Sequence, residues 1–201
     1  MKPSYKFYRG CYRVARAWFG ILYRLRVDGA DNIPSGAAVV CANHSHMSDP
    51  FLAAFAFGIS NQLHVIAKIE LFRIPVISQI LQKLGMICVN RGKLDIDSVK
   101  SSLQYLRKGE MVVIFPEGTR VSADDAVEAK AGAVKLAERA GALLVPFYIP
   151  RKKRLFRKVT VVIGEPYSVE KLQVKRTADD YAELSEALME KIKSLNPEVN
   201  A

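Results

Sequence analysis

Largely apolar runs of four to eight residues alternate with segments of helical periodicity over most of this 201-residue chain. Near-continuous apolar runs of this length are typical of strands that are buried on both faces of a sheet. Helices between such strands cover the sheet on both sides. The alternation therefore predicts an α/β fold with a largely parallel or mixed central sheet between helices. The predicted strands are 37–42, 63–68, 86–89, 111–115, 142–149 and 159–164.

The predicted helices lie between these strands and at the end of the chain. Asp49 and Asp97 are of a residue type that is favoured at helix N-caps, and a proline at the first helical position follows Asp49. We expect Asp49 to cap the first of these helices and Asp97 the third. The predicted helices are 50–57, 76–84, 98–107, 130–140 and an amphipathic helix over 178–195.

The first 26 residues contain seven Lys or Arg and no acidic residue. Helical periodicity over 7–26 predicts an N-terminal amphipathic helix, with arginines beside an apolar side. This pattern is typical of a membrane-interface helix, and Trp18 suits the headgroup region. The alternative is a terminal helix docked on the domain, its arginines in solvent. We divide the chain into a membrane-associating segment, 1–27, and a folded domain, 28–201. The apolar side consists of Tyr8, Cys11, Tyr12, Ala15, Phe19 and Leu22.

The net charge of +10 limits the choice of partners. A second basic cluster, RKKRLFRK at 151–158, adds six more cations, and such an excess indicates a nucleic acid or an anionic membrane surface. No nucleic-acid-binding motif accompanies it, so the membrane is favoured. The alternatives for this cluster are a solvated loop and a surface that attracts an acidic carrier protein. Three cysteines without CxxC spacing argue against disulfides and zinc, and for a reducing compartment.

The stretch CANHSHMSDP at 41–50 places titratable groups where a buried strand ends. With a loop between them, His44 and Asp49 can face each other, and the carboxylate would then leave the other ring nitrogen free as a general base for a hydroxyl. The alternative is a purely structural role, in which Asp49 only caps a helix and His44 only donates a hydrogen bond to a buried carbonyl. His46 has no third ligand nearby, so a metal site is not expected.

Two further strand ends carry polar residues. FPEGTR at 115–120 and NRGK at 90–93 follow strands that, if parallel, end at the same sheet edge as His44. Arg91 and Arg120 offer planar guanidinium groups suited to phosphate. Motifs of a serine nucleophile, a Walker lysine or a dinucleotide site are absent from the sequence. A base and phosphate-binding arginines without a protein nucleophile indicate that a group is transferred to a hydroxyl of a phosphorylated substrate without a covalent enzyme intermediate.

In order and spacing, NHSHMSD (43–49), GMICVNR (85–91), FPEGTR (115–120) and LLVPFYI (143–149) resemble the four motifs of glycerolipid acyltransferases, above all the bacterial 1-acylglycerol-3-phosphate acyltransferases. The resemblance implies that His44 is the base, that Asp49 is its partner and that Arg91 binds the phosphate. It further implies that the third motif holds the glycerol phosphate, that Pro146 shapes the acyl-side wall and that Lys68 lies near the phosphate. The residues of the third motif concerned are Glu117, Gly118, Thr119 and Arg120.

The implied reaction is phosphatidate synthesis for phospholipid biosynthesis. An acyl chain would pass from coenzyme A or acyl-carrier protein to the free sn-2 hydroxyl of lysophosphatidate, with no cofactor and no metal. We expect the protein to lie peripherally on the cytoplasmic face of the bacterial cell membrane and to bind its anionic surface. Another lysolipid acceptor, such as a lyso-ornithine lipid, is the closest alternative, and a nucleic-acid-binding module is the alternative from another class.

Overall fold

The central sheet is mixed, as the sequence predicts. The structure, a computed structural model, describes residues 3–90, 95–121, 129–170 and 176–197. Within these ranges the strands follow the order β1-β7-β6-β2-β5-β3-β4, and the short β8 pairs with β6. The strands are β1 (Arg24–Asp28), β2 (Ala38–Ala42), β3 (Leu63–Lys68), β4 (Ile87–Val89), β5 (Met111–Ile114), β6 (Leu143–Tyr148), β7 (Lys158–Ile163) and β8 (Tyr167–Ser168).

Five neighbouring strands of the sheet, β6, β2, β5, β3 and β4, are parallel. β7 and β8 run antiparallel to β6, while the edge strand β1 is parallel to β7. Because parallel neighbours end at the same side, the loops after β2, β5 and β6 leave the sheet at one edge. The loop after β2 carries the His44 motif and the loop after β5 carries FPEGTR. A functional site is therefore expected at this edge of the sheet.

Helices cover both faces of the sheet, and alternate residues of each strand divide the core between them. Val40 packs with helix α2 in one apolar cluster, while its neighbour Val39 packs with α5, α6 and α7 in another. This arrangement confirms the predicted α/β fold. The helices are α1 (Tyr5–Leu22), α2 (Asp49–Phe57), α3 (Ile69–Phe72), α4 (Pro75–Lys83), α5 (Ile96–Arg107), α6 (Gly132–Ala140) and α7 (Ala178–Ser194).

The N-terminal helix is shorter than its periodicity predicts. α1 ends at Leu22, and Arg24–Asp28 forms β1 beside β7 instead of a further helical turn. The reason is visible in the residues Arg24 to Val27, which alternate between charged and apolar side chains. A period of two fits a strand at the sheet edge, where both arginines are exposed and both apolar side chains are half-buried.

The aromatic side of α1 is docked on the domain. The rings of Tyr12 and Phe55 are 5.4 Å apart, Phe19 stacks on Phe51 at 5.0 Å, and Tyr8 is buried. That side therefore packs against α2, as expected for a terminal helix that is docked on the domain. A different stripe of α1 remains apolar and exposed. No helix among the described residues is long and apolar enough to cross a membrane.

The cap of α5 lies two residues before the expected position. The carboxylate of Asp95 accepts hydrogen bonds from the backbone N–H of Ser98 at 3.0 Å and of Asn90 at 2.6 Å. Asp97 lies in the first helical turn, so its prediction as the cap was wrong. The bond to Asn90 also ties the start of α5 to the end of β4, a contact that helix-capping preference alone does not anticipate.

Candidate active site

The loop between β2 and α2 brings His44 and Asp49 into contact. The Nδ1 atom of His44 lies 2.9 Å from Oδ2 of Asp49. An ionised carboxylate can only accept, so Nδ1 carries the proton and Nε2 keeps its lone pair. The His44 side chain is 13% exposed and that of Asp49 is fully buried. The pair thus presents the unprotonated Nε2 of His44 at the sheet edge, while the carboxylate of Asp49 binds the other ring nitrogen.

Asp49 does not cap α2, and that part of the prediction was wrong. Ser48 occupies the N-cap position and Asp49 is the first helical residue. Its carboxylate turns back into the loop, where Oδ2 accepts the backbone N–H groups of Ser45 and His46, each at 2.7 Å. The loop thereby wraps around the carboxylate that orients the His44 ring.

The charge state of Asp49 follows from these contacts. Burial alone would raise its pKa, but the ring N–H of His44, the ammonium of Lys153 and the N–H groups of His46 and Ser45 together hold the pKa below its ordinary value of 3.8. Asp49 is therefore a carboxylate at neutral pH despite its burial. A carboxylate that is hydrogen-bonded to an imidazole holds the ring in one tautomer and one orientation.

Two cations of the basic cluster at 151–158 turn inward toward this loop. The Nζ atom of Lys153 lies 2.9 Å from Oδ1 of Asp49, and its side chain is only 3% exposed. Nη2 of Arg151 lies 2.5 Å from Oε1 of Glu117, and the two side chains are 8% and 1% exposed. The sequence predicts a surface position for the whole cluster, because a run of cations carries no signal for which side chains are buried.

Glu117, which follows β5, supports the His44 loop from the opposite side. Its Oε2 accepts the backbone N–H of His44 at 3.0 Å, while Oε1 binds Arg151. Arg151 also donates to the carbonyl of Val121 at 2.9 Å, and the N–H of Val121 donates to the carbonyl of His44 at 2.8 Å. The loops after β2, β5 and β6 are thus linked through charged and backbone groups.

Asn43 is a further supporting residue, and sequence analysis gave it no role. Its side chain is buried, donates to the carbonyl of Ile149 at 2.7 Å and accepts the N–H of Ile149 at 2.8 Å. The amide thus continues the pairing of β2 with β6 beyond the last strand residue. A polar residue between a buried strand and His44 was the only signal for this role.

An apolar cavity adjoins Phe115, a neighbour of His44. The ring of Phe115 stacks on the His44 ring with centroids 4.2 Å apart. Phe115 also lines a cavity of about 360 Å³. The cavity reaches between β5 and the helices α5 and α6, and its volume falls in the range of small-molecule sites. Its apolar lining includes Ile66, Val99, Ile114 and Leu136, with Lys130 at its polar side.

The remaining residues of the third motif form an exposed turn. Gly118 adopts a φ of +67°, a conformation that is strained for other residues, and a Cβ there would also displace the end of the Lys130 side chain. Thr119 and Arg120 are exposed. Arg120 makes no ion pair with any described residue, which leaves its guanidinium open to a ligand. Lys130 is a candidate phosphate contact of the same kind.

The other residues implied by the resemblance lie in different surroundings. Lys68 is exposed at the end of β3, on the same sheet edge as His44. Pro146 lies buried within β6, in register with Cys41. Arg91 lies outside the described residues, so its role stays a prediction. The described part of the chain contains no group of three or more His, Cys, Asp or Glu placed to hold a metal.

Comparison with known proteins agrees with this geometry. The acyltransferase family model matches residues 24–150. The 1-acyl-sn-glycerol-3-phosphate acyltransferase of Bacillus subtilis is 31% identical over 194 residues, which cover 94% of this chain and 96% of that protein. A protein of the same name from Borreliella burgdorferi is 28% identical over 158 residues, 77% of this chain and 62% of that protein.

The fold also matches a solved structure. The 1-acyl-sn-glycerophosphate (LPA) acyltransferase PlsC of Thermotoga maritima superposes with a TM-score of 0.68 at 23% identity, covering 96% of this chain and 80% of that one. The family match contains the His44 loop, the Glu117 turn and the parallel strands that bring them to one edge. On these grounds the chain belongs to the acyltransferase family.

Proposed function

We propose that this acyltransferase moves a fatty acyl chain from an acyl thioester to the free sn-2 hydroxyl of 1-acylglycerol-3-phosphate. The observation that carries the proposal is the contact of His44 Nδ1 with Asp49 at 2.9 Å, which leaves Nε2 as a base at the sheet edge. The names of the relatives from Bacillus and Borreliella support this acceptor.

The reaction needs one base and no protein nucleophile. Nε2 of His44 takes the proton of the sn-2 hydroxyl, and the oxygen of that hydroxyl attacks the thioester carbonyl. The tetrahedral intermediate collapses with cleavage of the C–S bond, and the imidazolium returns the proton to the departing thiolate. A positioned base of this kind contributes about 10²–10⁴ in rate. Neither a metal nor a cofactor takes part in this scheme.

Basic groups at the same edge suit the phosphate of the acceptor. Arg120, Lys130 and Lys68 are exposed there, and Arg91 is the fourth candidate from the family resemblance. Apolar lining makes the 360 Å³ cavity beside Phe115 a candidate site for an acyl chain. A chain bound there would contact Phe115, whose ring stacks on the His44 ring.

An acceptor panel tests the proposal. Purified protein receives an acyl-coenzyme A or an acyl-carrier protein, with 1-acylglycerol-3-phosphate, lyso-ornithine lipid or a neutral lysolipid, and both released thiol and labelled product are measured. Phosphatidate formed from lysophosphatidate, at least ten times faster than the other products, supports the proposed acceptor. Faster acylation of lyso-ornithine lipid would leave the family assignment standing and replace the acceptor.

We also propose that the protein works peripherally on the cytoplasmic face of the cell membrane. Val14, Trp18 and Ile21 form one stripe of α1 and are 64%, 67% and 67% exposed. Phe156, also 64% exposed, adjoins the end of this helix through its N–H, which donates to the carbonyl of Leu22. Arginines flank the stripe, which suits anionic lipid headgroups.

The sole tryptophan gives a direct test of membrane contact. Burying a large apolar side chain stabilises by about 1.5–3 kcal/mol, so the stripe can hold the protein to a bilayer. Vesicles with anionic lipid should shift the Trp18 emission to shorter wavelength, and Val14→Ser with Ile21→Ser should weaken binding. No shift in emission, or equal binding by that double variant, would remove α1 as the contact.

A further inference from the structure

The ammonium of Lys153 has two hydrogen-bond acceptors and one ion-pair partner inside the protein. Nζ lies 2.9 Å from Oδ1 of Asp49, 2.9 Å from Oγ of Ser45 and 2.5 Å from the carbonyl of Pro150. The contacts to Ser45 and Pro150 are hydrogen bonds, whereas Oδ1 of Asp49 accepts no hydrogen bond and is held by the charge of the ammonium. At 3% exposure the side chain is withdrawn from solvent, unlike its neighbour Lys152.

The two carboxylate oxygens of Asp49 contact different partners. Oδ2 accepts from the His44 ring and from the N–H groups of Ser45 and His46, whereas Oδ1 pairs with Lys153. Ser45 closes the arrangement, since its N–H binds Oδ2 and its hydroxyl receives Lys153. With Oδ1 anchored, the carboxylate cannot rotate without breaking a buried ion pair.

We propose that Lys153 is a positioning residue for the His44–Asp49 pair, an inference that rests on the proposed role of His44 as base. Lys153 holds Oδ1 so that Oδ2 stays in line with Nδ1 of His44. It also compensates the charge of a fully buried carboxylate, which would otherwise be costly to keep ionised. No contact of Lys153 with substrate is part of the proposal.

A purely structural role would be different. In that case Lys153 would only tether the loop after β6 to the domain, and its loss would lower stability without a specific effect on turnover. The position of the pair, and not the fold alone, decides proton transfer, because a shift of about 1 Å in a catalytic group can lower the rate by roughly 100-fold.

The kinetic test compares Lys153→Met with Lys152→Met. Both variants lose one cation from the same loop, but Lys152 is exposed. In neutral detergent micelles, Lys153→Met should lower kcat by roughly 100-fold with KM for lysophosphatidate and for the thioester within twofold. Lys152→Met should match the wild type. A raised KM with unchanged kcat in Lys153→Met would overturn the proposal, because Lys153 would then bind substrate.

A double-mutant cycle separates positioning from general destabilisation. If Lys153 acts through Asp49, then Lys153→Met should cost little further activity in an Asp49→Asn background, and the two losses should not add. Fully multiplicative losses would overturn the proposal. Should Lys153→Met fail to fold, Lys153→Gln, which keeps a terminal donor without the charge, enters the same cycle.

An NMR measurement tests the geometry without any turnover. The hydrogen-bonded Nδ1 proton of His44 should give a slowly exchanging imidazole resonance in the wild type, identified by its loss in His44→Gln. It should persist in Lys152→Met and disappear in Lys153→Met or Lys153→Gln. Persistence in both Lys153 variants would overturn the proposal. This measurement also stands if the wild type forms no phosphatidate, an outcome that would refute the proposed acceptor alone.

Discussion

Glu117→Gln tests whether Glu117, in the third motif, stabilises the fold or binds the acceptor. The carboxylate pairs with Arg151 at 2.5 Å, and the side chains are 1% and 8% exposed. Removing one partner of a pair buried this deeply leaves the other charge uncompensated, which costs about 3–5 kcal/mol. For a domain of this size each kcal/mol lowers Tm by about 2–4 °C, so we expect a loss of about 6–20 °C.

The assay is thermal unfolding of the wild type, of Glu117→Gln and of Glu186→Gln. Glu186 is exposed on α7, and its variant removes the same charge without a buried partner. The amide oxygen of Gln can still accept the N–H of His44, so the KM for lysophosphatidate should change little. An unchanged Tm together with a raised KM would refute this reasoning and show Glu117 to bind the acceptor, as the family resemblance implies.

Four further variants test three local features. Asp95→Ala should cost about 1 kcal/mol in urea unfolding, whereas Asp97→Ala should be nearly neutral; equal costs would contradict the observed cap. Gly118→Ala should cost about 1–2 kcal/mol, because its φ is +67°, and an unaltered urea midpoint would contradict that strain. Since the pKa of Asp49 is lowered on folding, its share of stability is present above pH 3.8 and is lost as pH falls through the folded-state pKa. As the pH falls below 3.8 and through the folded-state pKa, Asp49→Asn should therefore lose less stability than the wild type, and parallel losses would contradict the shift.

Much of the fold could be predicted from the sequence, because buried parallel strands leave a simple signal. The strand predicted at 63–68 is observed over that same range, and the neighbouring parallel strands differ by a residue or two at their ends. The edge strand Arg24–Asp28 was missed because it is short and follows a strong helical period without a break. Tertiary pairing with β7 decides its conformation.

The site could be predicted only in part. Local spacing was enough to suggest that His44 faces Asp49, because a loop and a helix start separate them by five residues. Lys153 and Arg151 were not identified, since they reach the His44 loop from more than 100 residues away. Nothing in RKKRLFRK marks which cations are buried. That choice depends on the strand order, which places the loop after β6 beside the loop after β2.

The central claim is that His44 acts as the base in direct acyl transfer to lysophosphatidate. The most direct measurement is the rate of labelled phosphatidate formation by the wild type and by a folded His44→Gln variant, with unlabelled 1-acylglycerol-3-phosphate and a labelled acyl thioester. We predict product from the wild type and a rate lower by about 10²–10⁴ in the variant. Equal rates, or no phosphatidate from either protein, would contradict the claim.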